Sequence, residues 1–149
     1  LHTCAIKTDG TAQCWGTGGH NDYGQSTVPS DLGTVSSISA GEWHTCAIKT
    51  DGTVQCWGDD NGGQSTVPSD LGTVSSISAG TNSCAIKTDE TVQCWGSDHF
   101  GASNATPPSD LGTVSSISTG QQNSCVIKTD GTAQCWGTGS VIVVPADFQ

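Results

Sequence analysis

The stretch Cys46-Ala47-Ile48-Lys49-Thr50-Asp51-Gly52-Thr53-Val54-Gln55-Cys56-Trp57-Gly58 occurs four times in the chain, nearly letter for letter, with the other copies beginning at Cys4, Cys84 and Cys125. All eight cysteines lie in these copies, two in each, always with nine residues between them, and four of the five tryptophans follow the second cysteine directly. Asp-Gly between runs rich in Ile, Val, Thr and Trp is a strong hairpin signal. Loop length then decides which residues face each other. A two-residue loop, Asp51-Gly52, would pair Thr50 with Thr53 and set Cys46 against Trp57. A three-residue loop, Thr50-Asp51-Gly52, pairs Lys49 with Thr53 and puts the glycine in the left-handed conformation of a G1 bulge. Ile48 then faces Val54, and Cys46 faces Cys56 in a non-hydrogen-bonded pair, where side chains approach most closely and a disulfide can form.

The second register predicts four local bridges: Cys4–Cys14, Cys46–Cys56, Cys84–Cys94 and Cys125–Cys135. Each closes a loop of about ten residues, worth roughly 2.5–3 kcal/mol in the chain-entropy account. Metal binding is the weaker reading of the same cysteines. No C-x-x-C occurs, and the spacing suits neither zinc nor iron–sulfur patterns.

A chain of 149 residues fits one repeat domain, 1–149, with repeats at approximately 1–43, 44–82, 83–123 and 124–149. Its apolar residues are mostly small, so the core should be modest, with cross-links and repeat stacking compensating. The net charge is −10, from 14 acids against 4 bases, and Lys7, Lys49, Lys87 and Lys128 all hold the same hairpin position. With no basic patch, nucleic acid and anionic membrane surfaces are not expected partners. No apolar run approaches the length of a membrane-crossing helix, so membrane insertion is not expected either. Disulfides place the chain in an oxidising compartment: secreted, periplasmic or on a cell surface. No signal peptide is visible and the first residue is Leu1, as in a processed chain or an excerpt of a longer one.

The first cysteines of the copies stand at 4, 46, 84 and 125, giving periods of 42, 38 and 41 residues, the range of propeller blades and solenoids. One period runs hairpin, variable loop, a Pro-Ser-Asp-Leu-Gly turn, a strand, and an Ala/Thr-Gly turn into the next hairpin. Val35 to Ser39, Val74 to Ser78 and Val114 to Ser118 are that third strand. A short edge strand is also expected near Ser26-Thr27-Val28. The fold class is all-β: four antiparallel blade-like repeats in a partial or open β-propeller array.

This unit resembles the repeat of the regulator of chromosome condensation, in its secreted, disulfide-containing branch. The matching residues are Ala40-Gly41, His44 to Ile48, Asp51 to Val54, Trp57-Gly58 and Gly63-Gln64, with Pro68 and Val74 to Ile77 following. The resemblance covers nearly the whole chain and implies propeller blades. It implies no single function, because propellers host unrelated tasks. Members of the family usually have seven blades, whereas this chain has about four, and no exchange-factor residue carries over.

The repeats differ mainly between Trp-Gly and the next proline, with 12, 9, 10 and 7 residues in turn. Loops on a rigid scaffold are where binding usually resides. The third repeat carries Glu90 where the others have glycine, and a left-handed glutamate costs about 1–2 kcal/mol. His2 and His44 precede Thr-Cys, but Asn82 and Asn123 replace them later, which fits hydrogen bonding better than catalysis or metal binding. Asp59-Asp60-Asn61-Gly62 is oxygen-rich, yet it lacks the spaced ligands of a calcium loop. No nucleophile elbow, phosphate loop, dinucleotide fingerprint or H-E-x-x-H is present. No enzyme activity, cofactor or metal is expected. Trp43, on a turn between Glu42 and His44, is the best single candidate for an interface anchor. The apolar tail Val141-Ile142-Val143-Val144, with Phe148, is the candidate end-to-end interface, and Asn104 heads a glycosylation sequon usable in a eukaryotic source.

These features imply a non-enzymatic extracellular structural or interaction repeat protein, a subunit or module of a head-to-tail fibre or appendage that associates with itself. The alternative is a secreted binding or inhibitory propeller that recognises a protein or glycan through its variable loops.

Overall fold

The structure, a computed structural model, describes residues 1–16, 21–96, 105–138 and 144–146. Its strands are β1 (His2–Ile6), β2 (Ala12–Gly16), β3 (Val35–Ala40), β4 (His44–Lys49), β5 (Val54–Gly58), β6 (Val74–Ala79), β7 (Ser83–Lys87), β8 (Val92–Trp95), β9 (Val114–Thr119), β10 (Asn123–Lys128) and β11 (Ala133–Gly137). They form one two-stranded sheet, β1-β2, and three three-stranded antiparallel sheets ordered β3-β4-β5, β6-β7-β8 and β9-β10-β11. The described residues include no helix long and apolar enough to cross a membrane.

Each hairpin takes the three-residue-loop register. Cys46 lies opposite Cys56, Ala47 opposite Gln55 and Ile48 opposite Val54. Lys49 N–H donates to the Thr53 carbonyl, and Gly52 sits at φ 86°. Asp51 fixes the turn further, accepting from both the backbone N–H and the hydroxyl of Thr53. Asp9, Asp89 and Asp130 do the same with Thr11, Thr91 and Thr132. These hydrogen bonds hold all four carboxyls below their ordinary pKa. The four predicted disulfides are present, with Cα–Cα distances of 4.0–4.1 Å.

Sequence period and sheet are offset by one strand. The Val-Ser-Ser-Ile-Ser strand closes a period, yet pairs with the hairpin of the next one: Ile38 faces Ala47, and Ile77 faces Ala85. Ser26-Thr27-Val28 does not form the expected edge strand. Thr27 N–H donates back to the Gly24 carbonyl in a turn, and Gln25 is drawn fully inside, so no extended backbone is left to pair. The blade is three-stranded.

Successive sheets stack face to face. Cys46 and Ile48 pack on Leu71, Val74, Ile77, Ala85 and Trp95 of the next sheet. Cys84 and Ile86 pack in the same way on Leu111, Val114, Ile117, Val126 and Trp136. Backbone bonds tie the stack at the hairpin turns, where Gly10, Gly52 and Glu90 carbonyls accept from Val35, Val74 and Val114 N–H. At the other end of the strands, a Cβ on Gly41 would lie 2.7 Å from the Gly80 carbonyl oxygen, so only glycine permits this approach of neighbouring turns.

Candidate functional site

Two layers of polar chemistry meet at the end of the blades away from the lysines. The inner layer is a buried relay that repeats from blade to blade. Gln25, in the loop after β2, is fully buried, and its carbonyl accepts from the Thr45 hydroxyl and the Trp57 indole N–H at 2.9 Å each. Gln64 does the same one blade later, accepting from Ser83 Oγ and Trp95 Nε1. Trp57, Trp95 and Trp136 thus lie packed between blades. Their burial, with 6–8% exposure at Trp57, Trp95 and Trp136, agrees with this.

The histidines complete the relay. His44 Nε2 lies 2.8 Å from Ser83 Oγ, and His2 Nε2 bonds to Thr45 Oγ1. Each hydroxyl already gives its proton to a glutamine carbonyl, so each imidazole donates from Nε2. Burial pushes His44 down to about 4, against attraction from Asp59 and Asp60, with repulsion from His2 adding to the fall. A histidine that is 1% exposed and neutral has no access to a substrate. Asn82 does not copy the geometry, because its Nδ2 turns to Cys84 Sγ at 3.6 Å.

The outer layer is the rim formed by the β3–β4, β6–β7 and β9–β10 connections with the variable loops. Gln25 positions the first loop, with its Oε1 accepting from Tyr23 N–H and its Nε2 donating to the Asn21 carbonyl. Tyr23 is thereby held edge-on to Trp43, with ring centroids 6.0 Å apart at 79°. Beside this pair lies a cleft of about 330 Å³ lined also by Glu42, Asp59, Asn61, Gln64 and Thr81. From the turn glycine to the next cysteine the third repeat is one residue shorter (Gly80 to Cys84, against Gly41 to Cys46 and Gly120 to Cys125), so the third blade has no counterpart of Trp43. A second hollow continues from Glu42 and Thr81 to Gln121 and Gln122. Thr81 bridges the blades there, donating its hydroxyl proton to the Gln121 carbonyl.

The acidic turn beside the cleft is self-satisfied. Asp59 accepts from Asn61 and from Gln64 Nε2, and Asp60 accepts from Ser65 N–H and Thr66 Oγ1. Among the described residues no group of three His, Cys, Asp or Glu side chains is arranged to hold a metal. Of the expected interface residues, Trp43 lies half-buried on the rim and Val144 half-buried beyond β11. Val141, Ile142, Val143, Phe148 and the sequon residue Asn104 lie outside the described residues. Sequence reasoning missed Tyr23, Gln25 and Glu42. The recurring Gly-Gln-Ser-Thr-Val-Pro of residues 24–29 and 63–68 was the signal for the glutamines. Nothing local pointed to Tyr23 as the neighbour of Trp43.

The family described as regulator of chromosome condensation (RCC1) repeat matches residues 35–64 and 114–141, and each matched stretch begins at the first strand of a sheet, β3 or β9. No curated protein matches the chain. Among solved structures, the ectodomain of the Physcomitrella patens receptor kinase CR4 is similar at 28% identity and TM-score 0.74, over 97% of this chain and 39% of that one. The CRINKLY WD40 ectodomain of the Arabidopsis thaliana receptor kinase ACR4 follows at 24% identity and TM-score 0.71, over 92% of this chain and 52% of that one. Prp20p from Saccharomyces cerevisiae shares the fold at 18% identity and TM-score 0.75, over 91% and 43%. The chain therefore spans about half or less of each of these structures. It is an all-β, disulfide-bonded array of blade-like repeats, two of which match the regulator of chromosome condensation repeat, and its fold is that of these propellers.

Proposed function

We propose that the chain is a non-catalytic structural and interaction module of an extracellular assembly, extended by blade-on-blade contacts at its two end faces. One observation carries this reading. Trp15 on the first blade is 52% exposed, whereas its counterparts Trp57, Trp95 and Trp136 are at most 8% exposed. At the other end Ile127 is 41% exposed, against 3% and 2% for Ile48 and Ile86 of the two inner three-stranded blades and 36% for Ile6 of the two-stranded first blade. Inside the stack, the isoleucine face of one blade covers the tryptophan face of the next. The two free faces are therefore the two unlike halves of an interface the molecule already makes twice, and unlike complementary faces join head to tail. Their occupants are blades of another copy or further blades of the same polypeptide. Four disulfides and no free cysteine support an oxidising, extracellular setting, as does the likeness to receptor kinase ectodomains.

Sedimentation velocity tests the joining. The chain should associate as concentration rises, and Trp15→Lys or Ile127→Glu alone should stop growth at one end, so that a mixture of the two variants yields dimers only. A wild-type chain that stays monomeric at millimolar concentration overturns joining between chains. The second reading, a binding or inhibitory module, is favoured by the aromatic cleft on the rim.

A further inference from the structure

We infer that the rim cleft between Tyr23 and Trp43 is a binding site for a basic side chain, Arg or Lys, carried on an exposed segment of a protein partner. The inference does not depend on the end faces. It starts from an aromatic pair held open rather than packed away. Tyr23 is exposed, Trp43 half-buried, and the cleft of about 330 Å³ beside them is large enough for a long side chain with its flanking backbone. Aromatic rings attract a cation through their quadrupole.

Charge then selects the cation over a neutral occupant. The side chains that Asp59 accepts from, Asn61 and Gln64, are both neutral. Glu42 is different. Its backbone N–H is fixed to the Gly80 carbonyl, while its carboxylate accepts no hydrogen bond from the described residues and pairs with no base among them. It lies where the cleft meets the hollow of Thr81, Gln121 and Gln122. No lysine is near to satisfy it. Lys49 closes the strand β4 that His44 opens, so it sits at the opposite end of the blade, and Lys7, Lys87 and Lys128 share that register. A six-residue strand spans roughly 20 Å, beyond two Debye lengths at physiological salt. No lysine therefore compensates Asp22, Glu42, Asp59 and Asp60 at the rim. A guanidinium or ammonium entering beside Trp43 would find a ring and a free carboxylate together, the pairing such groups favour. The hydroxyl of Thr81 and the amides of Gln121 and Gln122 then offer partners to the polar backbone on either side.

The test is titration of the full, disulfide-bonded chain with a short Gly-Ser peptide carrying one central Arg, followed by amide chemical shifts or tryptophan fluorescence. A peptide with Gln in place of Arg and a neutral oligosaccharide are titrated alongside. The Arg peptide should bind with shifts centred on residues 42, 43 and 81 and weaken as salt is added. Glu42→Gln and Trp43→Ala should each weaken it about tenfold or more. Glu90→Gly removes the same single charge at the far end of a blade and should leave binding unchanged. Equal weakening by Glu42→Gln and Glu90→Gly would show diffuse attraction to an acidic protein and overturn the site. So would binding of the oligosaccharide in preference to the Arg peptide, or no binding of the peptide at all. None of these outcomes bears on whether the end faces join.

Discussion

The first and second blades carry almost the same thirteen residues and meet opposite fates. In the second hairpin, His44 through Ile48 is buried without interruption, because blades cover both faces of β4. In the first, β1 alternates between half-buried and exposed and its last residues face solvent, because only one side is covered. The turn, the register and the disulfide are the same in both. Hairpin geometry in this chain is thus a local property, while its contribution to stability depends on the neighbours. That is the behaviour of a nearest-neighbour array.

The sharpest way to break this contrast is to truncate the same residue in both blades. Trp57→Ala should cost about 3–5 kcal/mol by opening a cavity between blades and removing one of the two donors to the Gln25 carbonyl. Trp15→Ala should cost about 1 kcal/mol or less, as expected of a largely solvated side chain. Urea unfolding monitored by circular dichroism measures both. Similar losses would mean that the first blade is covered in solution.

The histidines sharpen the contrast in a second way. The folded-state pKa of His44 is about 4, well below its ordinary 6.5. Between these values the unfolded chain binds the proton and the folded chain does not. Stability from this site is complete above about pH 6.5, falls as the pH drops, and levels off below about pH 4, with a total near 3 kcal/mol. His44→Asn, the residue used by the third and fourth blades, should flatten that part of the pH–stability curve. His2→Asn should flatten it less, because His2 is only half-buried, although burial lowers its pKa too. An unchanged curve for His44→Asn would show that imidazole protonation does not limit stability.

The smallest expected effect lies in the hairpin turns. Glu90 holds φ 67° where Gly10, Gly52 and Gly131 occupy the same left-handed place at φ 83°, 86° and 89°. Glu90→Gly should raise stability by about 1 kcal/mol, the left-handed penalty less the entropy that glycine gains in the unfolded chain. Gly52→Glu should destabilise by at least as much, since a Cβ there meets Thr73 at 3.2–3.3 Å. Paired melting curves of the two variants decide it.

What was legible in the sequence was what a few adjacent residues decide. Asp-Gly sets the turn, the turn sets the register, and the register puts cysteine opposite cysteine, so hairpins, bridges and the strain at Glu90 all follow within about ten positions of chain. The period supplied the blades. Placement across some 20 to 40 residues was decided only by the tertiary structure. Gln25 reaches Trp57, His44 reaches Ser83 across 39 positions, and Tyr23 meets Trp43. The edge strand expected at Ser26 to Val28 failed for the same reason, because burying Gln25 against the next blade outweighed the pairing of a short extended run. Turn chemistry acts through bonds between near neighbours. The cleft on the rim arises where loops from different blades are brought together by packing, and no local pattern encodes that meeting.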